Sequence, residues 1–106
     1  MEFEILDTLP NGYKMTSTFW TDFSIADKFG ELAIRDTFKR AFKEWKKDYI
    51  FLTELVVVLN LKSWYYYEKG NTKYSELYVE LWEKADGYAC NNLKGEELSF
   101  FYRITD

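Results

Sequence analysis

From residue 24 onward the apolar positions of this chain recur with the period of a helix, and before that point they do not. Phe3, Ile5 and Leu9 alternate weakly up to Pro10-Asn11-Gly12, a turn signal, and Tyr13, Met15 and Phe19 alternate after it. Asp7 and Ser17 interrupt both alternations, so residues 1–23 read equally as a short hairpin or as an extended arm across helices. Ser24 with Asp27 resembles a capping pair for a short helix through Phe29, which Gly30 ends or bends. A second helix is predicted over about 31–48, with Ile34, Phe38, Ala41, Phe42, Trp45 and Tyr49 on one face and Lys46 and Lys47 at the negative end of its dipole.

The third predicted helix, about 49–69, is apolar nearly all round. Leu52, Leu55, Val56, Leu59, Ser63 and Tyr66 form one face, yet Phe51, Val57, Val58, Leu61, Trp64, Tyr65 and Tyr67 cover much of the rest. Such a helix is central to its fold. The β-branched run Val56–Val58 favours a strand locally, but helical periods on both sides outweigh it. Gly70-Asn71 closes this helix, and Asn71 or Thr72 caps a fourth over about 72–90. Its stripe of Tyr74, Leu77, Tyr78, Leu81, Trp82, Ala85, Tyr88 and Ala89 is the cleanest in the chain. A last short helix over 96–102 would dock Leu98, Phe101 and Tyr102. The predicted fold is mainly all-α: a compact bundle of about four to five helices with an irregular or short-hairpin N-terminal arm. Residues 1–106 read as a single domain, with 1–23 the arm and 24–106 the bundle.

Composition narrows the chemistry. The 106 residues include no histidine and one cysteine, which argues against His-centred catalysis, a disulfide framework and Cys-based zinc sites. No cofactor, metal or catalytic residue is assigned. Cys90, on the trailing edge of the fourth stripe and without a histidine to activate it, reads as a buried structural thiol. The acidic start Met1-Glu2-Phe3-Glu4 leads into no signal-peptide core, and the longest aliphatic stretch, Leu55–Leu59, is far too short to span a bilayer. The expectation is a cytoplasmic, non-enzymatic protein without a membrane partner.

Charge is placed unevenly within a net −4. Arg35, Lys39, Lys43 and Lys46 share a helical stripe, but acidic neighbours and the overall balance argue for a solvated face rather than direct nucleic-acid binding. Glu76, Glu80 and Glu83 form an outward acidic stripe on the fourth helix, within reach of Lys73 and Lys84; this stripe could meet a basic one on a second molecule.

The aromatic content, 21%, is the unusual quantity. Most rings fall on core stripes, and Phe19, Trp20 and Phe23 would pin the arm onto the bundle. Trp64-Tyr65-Tyr66-Tyr67 sweep about 300° of a helix surface, more than one small bundle readily covers. Thr53, Val57, Asn60, Trp64 and Tyr67 form a mixed polar and aromatic stripe with the make-up of an interface centre. These five are the candidate contact residues, and the partner is a protein or a second copy in a homodimer. The alternative is an acidic accessory protein that regulates or inhibits a nucleic-acid enzyme, of a mobile-element or anti-restriction type.

The segment Thr18-Phe-Trp-Thr-Asp-Phe-Ser-Ile-Ala-Asp-Lys-Phe-Gly30, with Ala41-Phe-Lys-Glu-Trp45 and Leu52-Thr-Glu-Leu55, resembles small uncharacterised proteins of bacteria, often Firmicutes, carried on conjugative or phage-like elements. The resemblance covers roughly residues 18–102 and rests on packing residues. It implies a bacterial accessory protein, and it transfers no activity or site.

Overall fold

A computed structural model describes residues 8–105. Five helices follow one another: α1 (Phe19–Asp27), α2 (Glu31–Trp45), α3 (Tyr49–Glu68), α4 (Thr72–Asn92) and α5 (Glu96–Thr105). The fold is an all-α bundle with a short N-terminal arm. α3 touches each of the other four helices, and every residue from Leu52 to Leu59 is buried. The apolar surround of this helix thus has its physical counterpart in neighbours on all sides. Phe23 of α1, Ile34 and Phe38 of α2, Leu77, Tyr78 and Leu81 of α4, and Phe101 and Ile104 of α5 complete the core. Burying one such leucine or phenylalanine side chain contributes about 1.5–3 kcal/mol. No described helix is long and apolar enough to cross a membrane.

The helix ends are built from local chemistry. Asp48 caps α3, its Oδ1 accepting from the amides of Ile50 at 3.0 Å and Phe51 at 3.1 Å. That cap ends α2 at Trp45, short of the expected 48, because Lys46, Lys47 and Asp48 make the connection. At the other end of α3 the Asn71 amide donates to the Tyr66 carbonyl and the Gly70 amide to that of Tyr67, a closing motif that needs the left-handed backbone of Gly70 (φ 78°). The Asn71 side chain then caps α4 through the Tyr74 amide at 3.1 Å, as expected. α4 and α5 run on beyond their expected ends, to Asn92 and Thr105.

The largest correction concerns α1, which begins at Phe19 and not at Ser24. Phe19, Trp20, Phe23 and Ala26 are spaced for one helical face, and all four are buried. Ser24 and Asp27 are therefore inside the helix and turned to the core rather than capping it. The arm is correspondingly shorter than 1–23. Within it, Leu9 donates its amide to the Tyr13 carbonyl at 2.9 Å, and Thr8 pairs with Lys14 in one antiparallel bridge around Pro10-Asn11-Gly12. The hairpin is that one bridge among the described residues; the Phe3 and Ile5 positions lie outside them.

Candidate functional site

Between Tyr49 and Tyr67, α3 carries only two charged side chains, Glu54 and Lys62. Both are buried, at 0% and 3% exposure. A charge in such a place is tolerated only with partners. Glu54 finds them in the arm. Its carboxylate accepts from the Tyr13 hydroxyl at 2.8 Å, the Thr16 hydroxyl at 2.7 Å, and the amides of Thr16 at 2.9 Å and Ser17 at 2.8 Å. Burial by itself would raise this carboxyl, but the donors of Ser17, Thr16 and Tyr13 outweigh it and hold it below the ordinary range. Glu54 is thus the anchor that draws the arm across the bundle.

Lys62 does the same for α1. Its Nζ donates to the Asp27 carboxylate at 3.0 Å and to Ser24 Oγ at 2.7 Å, and lies 4.4 Å from the Trp20 ring centre. Asp27 also accepts from the hydroxyls of Tyr66, at 2.6 Å, and Tyr78, while its carbonyl takes the Tyr74 hydroxyl at 3.4 Å. Burial lowers the Lys62 ammonium from its ordinary value, against the opposing pull of Asp27. Burial, reinforced by the Asp27 carboxylate, pushes the Tyr66 and Tyr78 hydroxyls well above the ordinary tyrosine range. One carboxylate therefore ties α1 to α3 and α4.

This knot sets the rotation of the last turns of α3. With Lys62, Ser63 and Tyr66 held inward, Trp64 and Tyr67 must point away, and they are 57% and 67% exposed. Their rings pack edge to face, 5.7 Å between centres, so the pair is a preformed surface. At the α1–α2 corner, Phe29 and Leu32 are each 78% exposed as well.

The five-residue stripe expected at an interface is divided by the fold. Thr53 is fully buried, its hydroxyl donating to the Tyr49 carbonyl at 2.7 Å, and Val57 is buried against the core. Asn60 lines a cavity of about 410 Å³ between α3, α4, α5 and the Pro10 turn. Only Trp64 and Tyr67 reach open surface, because the arm and α5 cover the first half of α3. Phe19, Trp20 and Phe23 are core residues of α1, while Phe42, Trp45, Tyr66, Tyr74, Trp82 and Tyr88 pack partly buried against the core.

The remaining candidates are also placed. Cys90 is exposed at the cavity, which corrects the expected buried thiol; the last turns of α4 rotate it off the Ala85–Ala89 line. The charged stripes meet inside one chain: Arg35 donates to both Glu80 oxygens, at 2.7 and 3.1 Å, and to Glu31 at 2.9 Å, while Lys84 approaches Glu80 at 3.7 Å. Glu76 and Glu83 remain exposed. Among the described residues no three His, Cys, Asp or Glu side chains gather where they could hold a metal ion.

Comparisons with protein-family models, curated proteins and solved structures found no match to this chain. The reading of its function therefore rests on its own geometry.

Proposed function

We propose that this protein is a non-enzymatic interaction module that self-associates through the aromatic end of α3. The observation that carries the reading is the pair Trp64 and Tyr67, packed edge to face and exposed on the turns of α3 whose inward side Lys62 ties to Asp27. Tryptophan and tyrosine in this state are the residue types that dominate binding energy at interface centres. Rings held in place lose little conformational freedom on docking. An isologous contact of about 800 Å² per partner would also recruit neighbouring exposed surface.

An acidic accessory role toward a nucleic-acid enzyme draws less from the geometry, since Glu80 is already engaged by Arg35 and Lys84 within the chain. The resemblance to mobile-element proteins is compatible with either role. Sedimentation velocity over a concentration series tests the proposal. The parent chain should shift toward dimer with rising concentration, and Trp64→Ser with Tyr67→Ser should remain monomeric at an unchanged melting temperature. A parent chain that stays monomeric throughout would overturn self-association.

A further inference from the structure

We propose that the cavity between α3, α4, α5 and the Pro10 turn binds a small organic monocation, an ammonium group carried on an aromatic or short aliphatic body. At about 410 Å³ the space falls in the range of small-ligand pockets. Its walls are mostly apolar, with Val57, Leu61, Phe101 and Tyr102 among them. A single charged side chain lines it, Asp86 of α4. None of the ion pairs among the described residues includes Asp86, and the Cys90 thiol lies 4.0 Å from its Oδ2.

The chemistry of the lining selects the ligand. Partial burial raises the Asp86 carboxyl above its ordinary value, with no cation to offset the effect. The fully buried carboxylate, Glu54, has its donors supplied by the chain, and Asp27 has Lys62; the partly buried Asp86 is in none of the ion pairs among the described residues. An ammonium entering the cavity would supply it through a charge-assisted hydrogen bond. Trp82, one helical turn before Asp86 on α4, also lines the space, and an indole face attracts a cation as well as an apolar body. The Asn60 amide supplies a neutral donor and acceptor on the opposite wall. An anion would meet the Asp86 carboxylate, and none of the lining side chains is cationic to offset it. Trp64 and Tyr67 are not among the lining residues, and the proposed binding does not depend on self-association.

The full chain can be titrated with phenethylamine and with its neutral counterpart 2-phenylethanol, reading the combined fluorescence of its four tryptophans, of which Trp82 lines the cavity, and the rate at which iodoacetamide alkylates Cys90, the single cysteine. Phenethylamine should slow alkylation and bind at least about tenfold more tightly than the alcohol, a ratio that corresponds to roughly one charge-assisted contact. Asp86→Asn should remove that preference while keeping the helical circular-dichroism signal. Cys90→Phe, built from an exposed position at the cavity and adding no tryptophan, should block the amine in the fluorescence assay. Equal binding of amine and alcohol, undiminished amine binding by Asp86→Asn, or no binding of phenethylamine up to millimolar concentration would overturn the proposal.

Discussion

Removing one charge of the Asp27–Lys62 pair is the sharpest perturbation the fold offers. Both side chains are nearly inaccessible, at 4% for Lys62 and 8% for Asp27, so water cannot replace a lost partner. In Asp27→Asn the Lys62 ammonium keeps Ser24 Oγ and the Trp20 face but loses its counter-charge. In Lys62→Met the Asp27 carboxylate keeps the Tyr66 and Tyr78 hydroxyls but no cation. Breaking a buried pair from one side typically costs about 3–5 kcal/mol. Against a total stability of about 5–15 kcal/mol, that is a large share. The unfolding entropy of a chain this size converts it to a fall of about 13–22 °C in Tm.

The double variant should behave differently from the sum. Asp27→Asn with Lys62→Met removes both charges, while the asparagine oxygen remains an acceptor for the two tyrosines. Its loss should be smaller than either single loss, because no charge is left unpaired in the interior. Urea unfolding followed by circular dichroism measures all four proteins of the cycle. Single losses under about 1 kcal/mol, or a double loss equal to the sum of the singles, would refute the view that this pair is a coupled, desolvated unit.

Three further outcomes follow from other parts of the bundle. Glu54→Gln should cost about 1–3 kcal/mol at neutral pH, since it replaces an acceptor-only group facing the Thr16 and Ser17 amides; because the Glu54 carboxyl is depressed in the folded chain, the parent's extra stability is complete above the unfolded value of about 4.3 and disappears as pH falls through the folded value, so the two urea curves should converge in acid. Tyr13, Tyr66 and Tyr78, each raised by burial and a carboxylate neighbour, should stay protonated in the folded state, so stability should fall as pH rises past about 10, with tyrosinate absorbance for these three appearing only on unfolding. Asp48→Ala and Asn71→Ala, which remove the side-chain caps of α3 and α4, should each lower stability by about 0.5–2 kcal/mol in the same urea assay.

Much of the bundle was legible in the chain itself, for a reason visible in α3 and α4. Long segments with steady periods of three and four leave little freedom of interpretation, and the Gly70-Asn71 break between them carries its own closing chemistry. The start of α1 is obscured because Ser17 and Asp22 break up the apolar positions around it, while Phe19, Trp20, Phe23 and Ala26 offer only four face positions over eight residues. The stripe from Thr53 to Tyr67 is continuous on any helix drawn from sequence; where it becomes surface depends on how far the arm and α5 reach, which no local pattern encodes. Cys90 was placed by its stripe, yet one rotation step at a helix end decided its exposure. Glu54 and Lys62 carry a signal that periodicity does not, as two solitary charges in an otherwise uncharged nineteen-residue stretch, 49–67. A helix with neighbours along most of its length has little outward face to offer them, and at these two positions they are buried and paired.

The claim that Trp64 is the centre of a self-contact is tested most directly by the four tryptophan indole N–H signals in nuclear magnetic resonance. Trp20 is buried and Trp45 and Trp82 are partly buried within the chain, leaving Trp64 as the most exposed of the four. As protein concentration rises, the Trp64 indole signal should shift and become protected from a soluble paramagnetic relaxation agent, while the other three hold their positions. A Trp64 signal that stays fixed and equally relaxed at every concentration would contradict the account.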